Sequence, residues 1–198
     1  MRFCIRQGYD IPLGDKPDGS PVTTRETNRV ALIGSDYPGL RLALQVEEGE
    51  LLRAGETVLR DRRFPEIRVV APASGVVSEI NWGPRRQLVS VVIERNDNPP
   101  TEGRQYEIEE LPELTGTEVR DRLLESGHWV AFRARPFERT PAPEVESRAI
   151  FVTAIDTNPI AADPLVAIDH QADDFRNGVT VLSRLTRGPV YVCTIRCC

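Results

Sequence analysis

Between His128 and Phe137 the chain sets three aromatic rings, Trp129, Phe132 and Phe137, beside two guanidinium groups, Arg133 and Arg135. Flat apolar rings next to strong hydrogen-bond donors are suited to holding an aromatic, carbonyl-bearing ligand such as a quinone or a flavin. The plainer reading is a surface turn whose rings pack into the core while the arginines face water. A second candidate is Asp156 with Asn158, which directly follow the apolar, β-prone run at 149–154. Open α/β sheets place ligands beyond strand ends of this kind. Asp and Asn also cap their own turns there, with Pro159 reinforcing the turn. His128 and His170 each lack a second ligand in the neighbouring sequence and read as structural. Cys193, Cys197 and Cys198 crowd the last six residues while Cys4 stands alone. That spacing has no second pair and no nearby His, so no metal site is expected. No GxGxxG follows a strand, and there is no GxxxxGK[ST]. No Ser/His/Asp or Cys/His set has recognisable surroundings, so no residue is assigned as catalytic.

Composition narrows the classes. The chain has 198 residues, 40% hydrophobic and 28% charged, which suits a globular protein of one large or two small domains. A net charge of -5 with no basic stripe argues against nucleic acid as a partner. The longest apolar runs fall far short of the ~20 residues that span a bilayer. The N-terminus lacks the apolar centre of a signal peptide, so a cytoplasmic protein is expected. Lys16 is the single lysine in the sequence, set in the turn-like GDKPDG, and this removes most lysine chemistry.

The elements that must position these residues fall into two domains. Residues 1–105 read as a β-rich domain. Short β-branched or alternating segments at Arg29–Ile33, Leu40–Val46, Arg68–Ala71, Val76–Ile80 and Leu88–Glu94 are separated by dense Gly/Pro punctuation. VEEGELLRAGETVLRD places two tight turns around a short apolar strand, and Pro72 and Gly75 bracket another turn. The layout is similar to a biotinyl/lipoyl-type barrel-sandwich hybrid. In the carrier form of that fold an exposed hairpin displays a modified lysine. Here the hairpin position falls near Asp61, Arg62, Arg63, Phe64 and Pro65. A guanidinium stays protonated and forms no such amide, so a swinging-arm role is excluded and a scaffold role remains.

Residues 96–112 are acidic and proline-containing and read as a linker. Residues 106–198 then read as an incomplete α/β domain of βαβ type. Thr115 and Glu118 form a capping box, Val119 and Leu123 share a helix face, and Gly127 stops the helix. The strand at Ala149–Ala154 precedes a helix expected over Asp169–Thr186, with Phe175, Val179, Leu182 and Leu185 at helical spacing. Gly188-Pro189 ends it, and a strand at Val190–Ile195 follows. Two parallel strands do not make a covered sheet, so the chain is expected to be the amino-terminal part of something longer. No internal repeat is evident. The fold class is therefore α+β with two domains: an all-β barrel-sandwich hybrid, then the truncated first part of a Rossmann-like domain.

GYDIPLGDKP, VALIGSDYPGLR, APASGVVSEINWGPRRQLVSVVIE, LLESGHWVAFRARPF and FVTAIDTNPIAADP, with VYVC near the end, carry a resemblance. The chain resembles the A subunits of sodium-translocating NADH:quinone reductases, from its first residues to about Cys193. It is more distantly similar to the C subunit of Rnf complexes. Members of that family are more than twice as long, and TIRCC departs from their pattern, which implies truncation or a frameshift near Thr194. Arg62 and Arg63 stand where lysine is often found, and Glu138 and Arg139 replace a small polar residue and a lysine.

The resemblance implies a subunit of a respiratory translocase that oxidises NADH, reduces ubiquinone and exports Na+, not catalytic by itself. Its place would be peripheral, on the cytoplasmic face of the inner membrane. It would touch the membrane only through partner subunits, which carry the flavins, the iron–sulfur centres and the NADH site. Ubiquinone is the one cofactor candidate for this chain, with Trp129, Phe132, Arg133, Arg135 and Phe137 as its contacts. Related proteins carry a glycine-rich flavin loop after a helix like Thr117–Ser126. Here that place reads ESGHWVAFRARPF with one glycine, and bulky side chains block close backbone approach to phosphate. The alternatives are a stand-alone flavin/NAD-binding oxidoreductase or a pure interaction module.

Overall fold

A computed structural model of the chain describes residues 14, 26–96, 108–158 and 160–194. Lys16, Cys4, Cys197, Cys198, all of the GYDIPLGDKP opening but Gly14, and most of the acidic linker lie outside them. Two compact units are present. One is formed, in its described part, by residues 26–96 and Thr115–Val145; the other by Ile108–Leu114 and residues 146–194.

Among its described residues the first unit has seven strands: β1 (Arg29–Ile33), β2 (Leu42–Leu44), β3 (Leu51–Leu52), β4 (Thr57–Asp61), β5 (Arg68–Val70), β6 (Gly75–Trp82) and β7 (Leu88–Arg95). They form a four-stranded sheet in the order β1-β7-β6-β3 and a three-stranded sheet in the order β2-β4-β5, all antiparallel. The core lies between inward-facing side chains of both sheets. Val58, Leu59, Val77, Val91 and Ile93 are completely buried. Strict alternation would not turn Leu88 and Val91 to the same side. The β6–β7 register slips at Asn81/Trp82, leaving Val89 as the extra residue. Leu88 and Val91 therefore both point inward while Val89 is exposed.

The two tight turns expected around β3 share one design. Gly49 and Gly55 take φ of 86° and 91°, which glycine adopts without a Cβ penalty. In each turn the following glutamate closes the loop. Glu50 accepts the Glu47 amide at 2.9 Å, and Glu56 accepts the Arg53 amide at 3.0 Å. The Gly49 and Gly55 amides donate to the Val77 and Ala71 carbonyls. The Val77 and Ala71 amides return to the Glu50 and Glu56 carbonyls. These bonds tie the chain before β3 to Val77 in β6 and the chain after it to Ala71, just past β5. The shared design is visible in sequence as the repeated Gly-Glu pair.

Helix α1 (Gly116–Glu125) starts at the capping box. The Thr115 Oγ1 accepts the Glu118 amide at 3.3 Å, and the Glu118 carboxylate accepts the Thr115 amide at 2.8 Å. Val119 and Leu124 are its buried residues; Leu123 is only half-buried. Thr115→Ala should lower stability by about 1 kcal/mol, read as a shift of the chemical denaturation midpoint. Helix α1 groups with the barrel strands, whereas a division of the sequence at 105/106 places it with the later α/β elements.

The second unit holds β8 (Ile150–Thr153), α2 (Pro164–His170), α3 (Ala172–Ser183) and β9 (Val190–Cys193). β8 and β9 pair in parallel, with Ile150 opposite Val190 and Thr153 opposite Cys193. The expected strand–helix–strand unit is thus formed, but with two helices where one is expected over Asp169–Thr186. Asp163 caps α2 by accepting the Leu165 amide at 2.9 Å, and Pro164 sits at the first helical position. The backbone then leaves the helical region at Gln171, with φ −132° and ψ 42°. His170 accordingly ends α2, where the spacing predicts a helix start. Gly188 is required: a Cβ there would lie 1.7 Å from the Arg148 carbonyl oxygen. Leu114, Ala154 and Leu185 are the buried apolar residues described in this unit. Phe151 and Tyr191 stack at 5.0 Å on an open face, 65% and 40% exposed.

Candidate functional site

The aromatic–arginine segment begins where α1 stops. Gly127 takes φ 75°, and a Cβ there would meet the Val70 methyls at 2.8 Å. The one glycine in the place of a flavin loop therefore ends a helix and lets the chain close on β5. The backbone at this point is packed against the Val70 side chain.

A 3-10 turn at His128–Ala131 follows and carries Trp129 inward to 5% exposure. The Trp129 indole N–H donates to the Pro141 carbonyl at 2.9 Å. Phe132 meets its ring edge-on, with centroids 5.2 Å apart and planes at 63°. His128 is exposed, with Nδ1 2.9 Å from the Ser126 hydroxyl. Arg133 folds back over the segment. It donates to the Val130 and Phe132 carbonyls and, through Nη2, to the Asp36 carbonyl at 3.1 Å. Beside Asp36, the half-buried Tyr37 phenol is held above its usual pKa, first by burial and then by the Asp36 carboxylate, so it stays neutral at pH 7.

Ala134 and Arg139 then pair across a tight turn containing the cis Arg135-Pro136 peptide. Arg135 and Glu138 form an exposed ion pair at 2.7 Å, of a kind that adds little stability. Phe137 is 77% exposed, with the Arg139 guanidinium 6.0 Å from its ring centroid. The structure thus brings Trp129 and Phe132 together as a packed pair. Arg135 and Phe137 stand in water on the turn, and Arg133 braces the segment to the loop at Asp36. Two free ring faces opposed across a ligand-sized gap would require Trp129 to leave the core.

Asp156 and Asn158 resolve as a turn. The Asp156 carboxylate accepts both the Asn158 amide at 2.9 Å and its side-chain N–H at 2.8 Å. Cys193 is a free thiol. Among the described residues no group of three His, Cys, Asp or Glu side chains is placed to hold a metal ion.

A second concave feature lies on the barrel. A cleft of about 470 Å³ is bounded by Arg41, Arg62, Arg63 and Arg86, with Trp82 among its walls. Sequence reasoning placed Arg62 and Arg63 at the β4–β5 hairpin but missed Arg41, Trp82 and Arg86. The available signal was the second basic pair, Arg85-Arg86, in the turn between β6 and β7.

A model of the NqrA N-terminal barrel-sandwich hybrid domain matches residues 3–96, and one of the NqrA second alpha/beta domain matches residues 114–196. The chain belongs to the NqrA family. It is 42% identical over 189 residues to the A subunit of the Na(+)-translocating NADH-quinone reductase of Neisseria meningitidis serogroup B. It is 41% identical over 194 residues to the counterpart from Hahella chejuensis and 43% identical over 193 residues to that from Yersinia pseudotuberculosis. Each match covers 96% of this chain and 42% of the relative, so the chain spans less than half the length of these proteins. The NqrA domain models account for the two β-sheets and for the strand–helix–strand unit as separate domains. The barrel-sandwich assignment agrees with the seven-stranded unit, whose β4–β5 hairpin carries Arg62 and Arg63 and no lysine. No helix among the described residues is long and apolar enough to cross a membrane.

Proposed function

We propose that this chain works within a sodium-translocating NADH:quinone reductase, as a scaffold that sits beside the quinone and carries no catalytic group. The observation that carries the reading is the family membership of both domains, together with about 42% identity to NqrA proteins along nearly the whole chain. In the working complex NADH is oxidised, ubiquinone is reduced and Na+ is moved by the assembly. The flavins, iron–sulfur centres and NADH site belong to partner subunits. The chain is peripheral, on the cytoplasmic face of the inner membrane, and reaches the membrane through those partners.

Ubiquinone is the one small molecule this chain contacts in the reading. Arg135 and Phe137 supply the accessible donor and ring on the turn. Trp129 and Phe132 form the packed base of the segment, and Arg133 holds it in place. An arginine N–H donated to a quinone carbonyl orients the ring and polarises that oxygen; the electrons come from elsewhere in the complex. The role of Gly127 in packing against Val70 supports a scaffold over a flavin carrier.

The assembly is tested by affinity capture of the chain from detergent-solubilised native membranes, followed by mass spectrometry. Recovery with NADH-oxidising, flavin-containing membrane subunits is expected; recovery alone from the soluble fraction would refute it. The contact is tested by Arg135→Ala and Arg133→Ala in the assembled protein. Arg135→Ala should weaken quinone-analogue binding by about tenfold without changing stability, since its ion pair is exposed. Arg133→Ala should weaken it as well, with some loss of stability from the broken backbone braces. Unchanged affinity in both would remove the quinone contact.

A further inference from the structure

We infer that the arginine-lined cleft of the barrel unit is a binding site for a phosphate group carried on an apolar or ring-bearing body. Three separate segments build it. Arg41 enters β2, Arg62 and Arg63 form the start of the β4–β5 hairpin, and Arg86 lies in the turn between β6 and β7. Among the described residues that line the cleft there is no carboxylate. In a chain of net charge -5, four arginines line one cleft, and a bound anion there would offset the charge of those that lack a carboxylate partner.

The four are not equivalent. Asp61 is buried at 1% exposure and accepts the Arg41 amide at 2.9 Å and the Arg63 amide at 3.3 Å. It also pairs with the Arg63 guanidinium at 3.4 Å, while Arg63 donates to the Gly39 carbonyl. Asp61 therefore fixes the backbone of both sides of the cleft and the head of one arginine. The Arg41, Arg62 and Arg86 guanidiniums make no hydrogen bond or ion pair with the described residues and keep their donors for a ligand. Arg85 and Arg86 both hold a left-handed backbone, with φ of 57° and 58°, a conformation that arginine disfavours and glycine would accept freely.

The remaining walls define the rest of the ligand. Leu40, Leu42 and Leu88 supply apolar surface, and Trp82 offers a ring that is 53% exposed. A planar guanidinium fork matches phosphate oxygens in two-point fashion. The volume of the cleft falls within the range of small-ligand sites. A phosphate next to an apolar or flat group fits this arrangement, whether as a lipid headgroup or as a free phosphorylated molecule.

The test uses the full chain with two probes: inorganic pyrophosphate, followed by calorimetry and Trp82 fluorescence, and vesicles of phosphatidylglycerol or phosphatidylcholine, followed by co-sedimentation. Saturable pyrophosphate binding supports a free phosphate source. Binding to phosphatidylglycerol but not phosphatidylcholine vesicles, without pyrophosphate binding, supports a lipid source. In either case Arg62→Gln with Arg86→Gln should weaken binding at least about tenfold, while Arg85→Gln leaves it unchanged. If that double variant fails to fold, Arg41→Gln replaces it, because the Arg41 amide still reaches Asp61. Absence of binding to both probes, or unchanged affinity in the folded variants, overturns the inference.

Discussion

Trp129→Ala should destabilise the barrel unit by about 3–5 kcal/mol. The ring is 5% exposed, meets Phe132 edge-on and donates its N–H to the Pro141 carbonyl. Truncation removes that packing and leaves both a cavity and an unpaired carbonyl. The effect should be read in the urea midpoint at unchanged m-value. Trp129→Phe should recover part of the packing but not the hydrogen bond. Phe137→Ala is the informative contrast. Its ring is 77% exposed, so stability should stay within about 0.5 kcal/mol of the parent. Any loss of quinone-analogue affinity in Phe137→Ala then reports contact and not folding. A Trp129→Ala protein as stable as the parent would show that Trp129 is not a core residue.

Gly75→Ala is expected to be as damaging, for a different reason. Gly75 opens β6 and pairs with Leu52 on one side and Arg95 on the other. A Cβ placed there would lie 2.1 Å from the Glu94 carbonyl oxygen and 2.8 Å from an Ile93 methyl. The oxygen belongs to a backbone held in the β6–β7 ladder, so it cannot move aside as a flexible side chain would. The strands must separate locally, and a loss of about 3 kcal/mol or more is expected, at the upper end of overpacking penalties. Hydrogen exchange would locate the damage: amides of Val77, Val91 and Ile93 should lose protection, and those of β8 and β9 should not. Full retention of protection in β6 and β7 would contradict the close approach.

The barrel strands were legible because their burial alternates and their turns carry glycine. Arg29–Ile33 is the same segment in sequence and structure, and the turns around Leu51–Leu52 follow from Gly49 and Gly55. β4 was harder to see. Thr57–Asp61 buries three of five side chains, including a carboxylate, so it lacks clean alternation. The capping box of α1 was legible because it is a local three-residue contact. The break between α2 and α3 was not. Helical spacing of apolar residues continues across Gln171, and no proline or glycine marks the change of backbone there.

The candidate site divides the same way. Residue types and short-range spacing were enough for the strand segments, the family, the lysine-free hairpin and the βαβ order, because each is encoded within a short stretch of chain. That Trp129 lies in the core and Phe137 in water emerged only in three dimensions, since both are aromatic and only their neighbours in space distinguish them. The same holds for the single cleft shared by Arg41, Arg62, Arg63 and Arg86. Those arginines come from three segments: β2 and β4 pair antiparallel and share the buried Asp61, while the β6–β7 turn belongs to the other sheet, and no local pattern encodes proximity between residues so far apart in the chain.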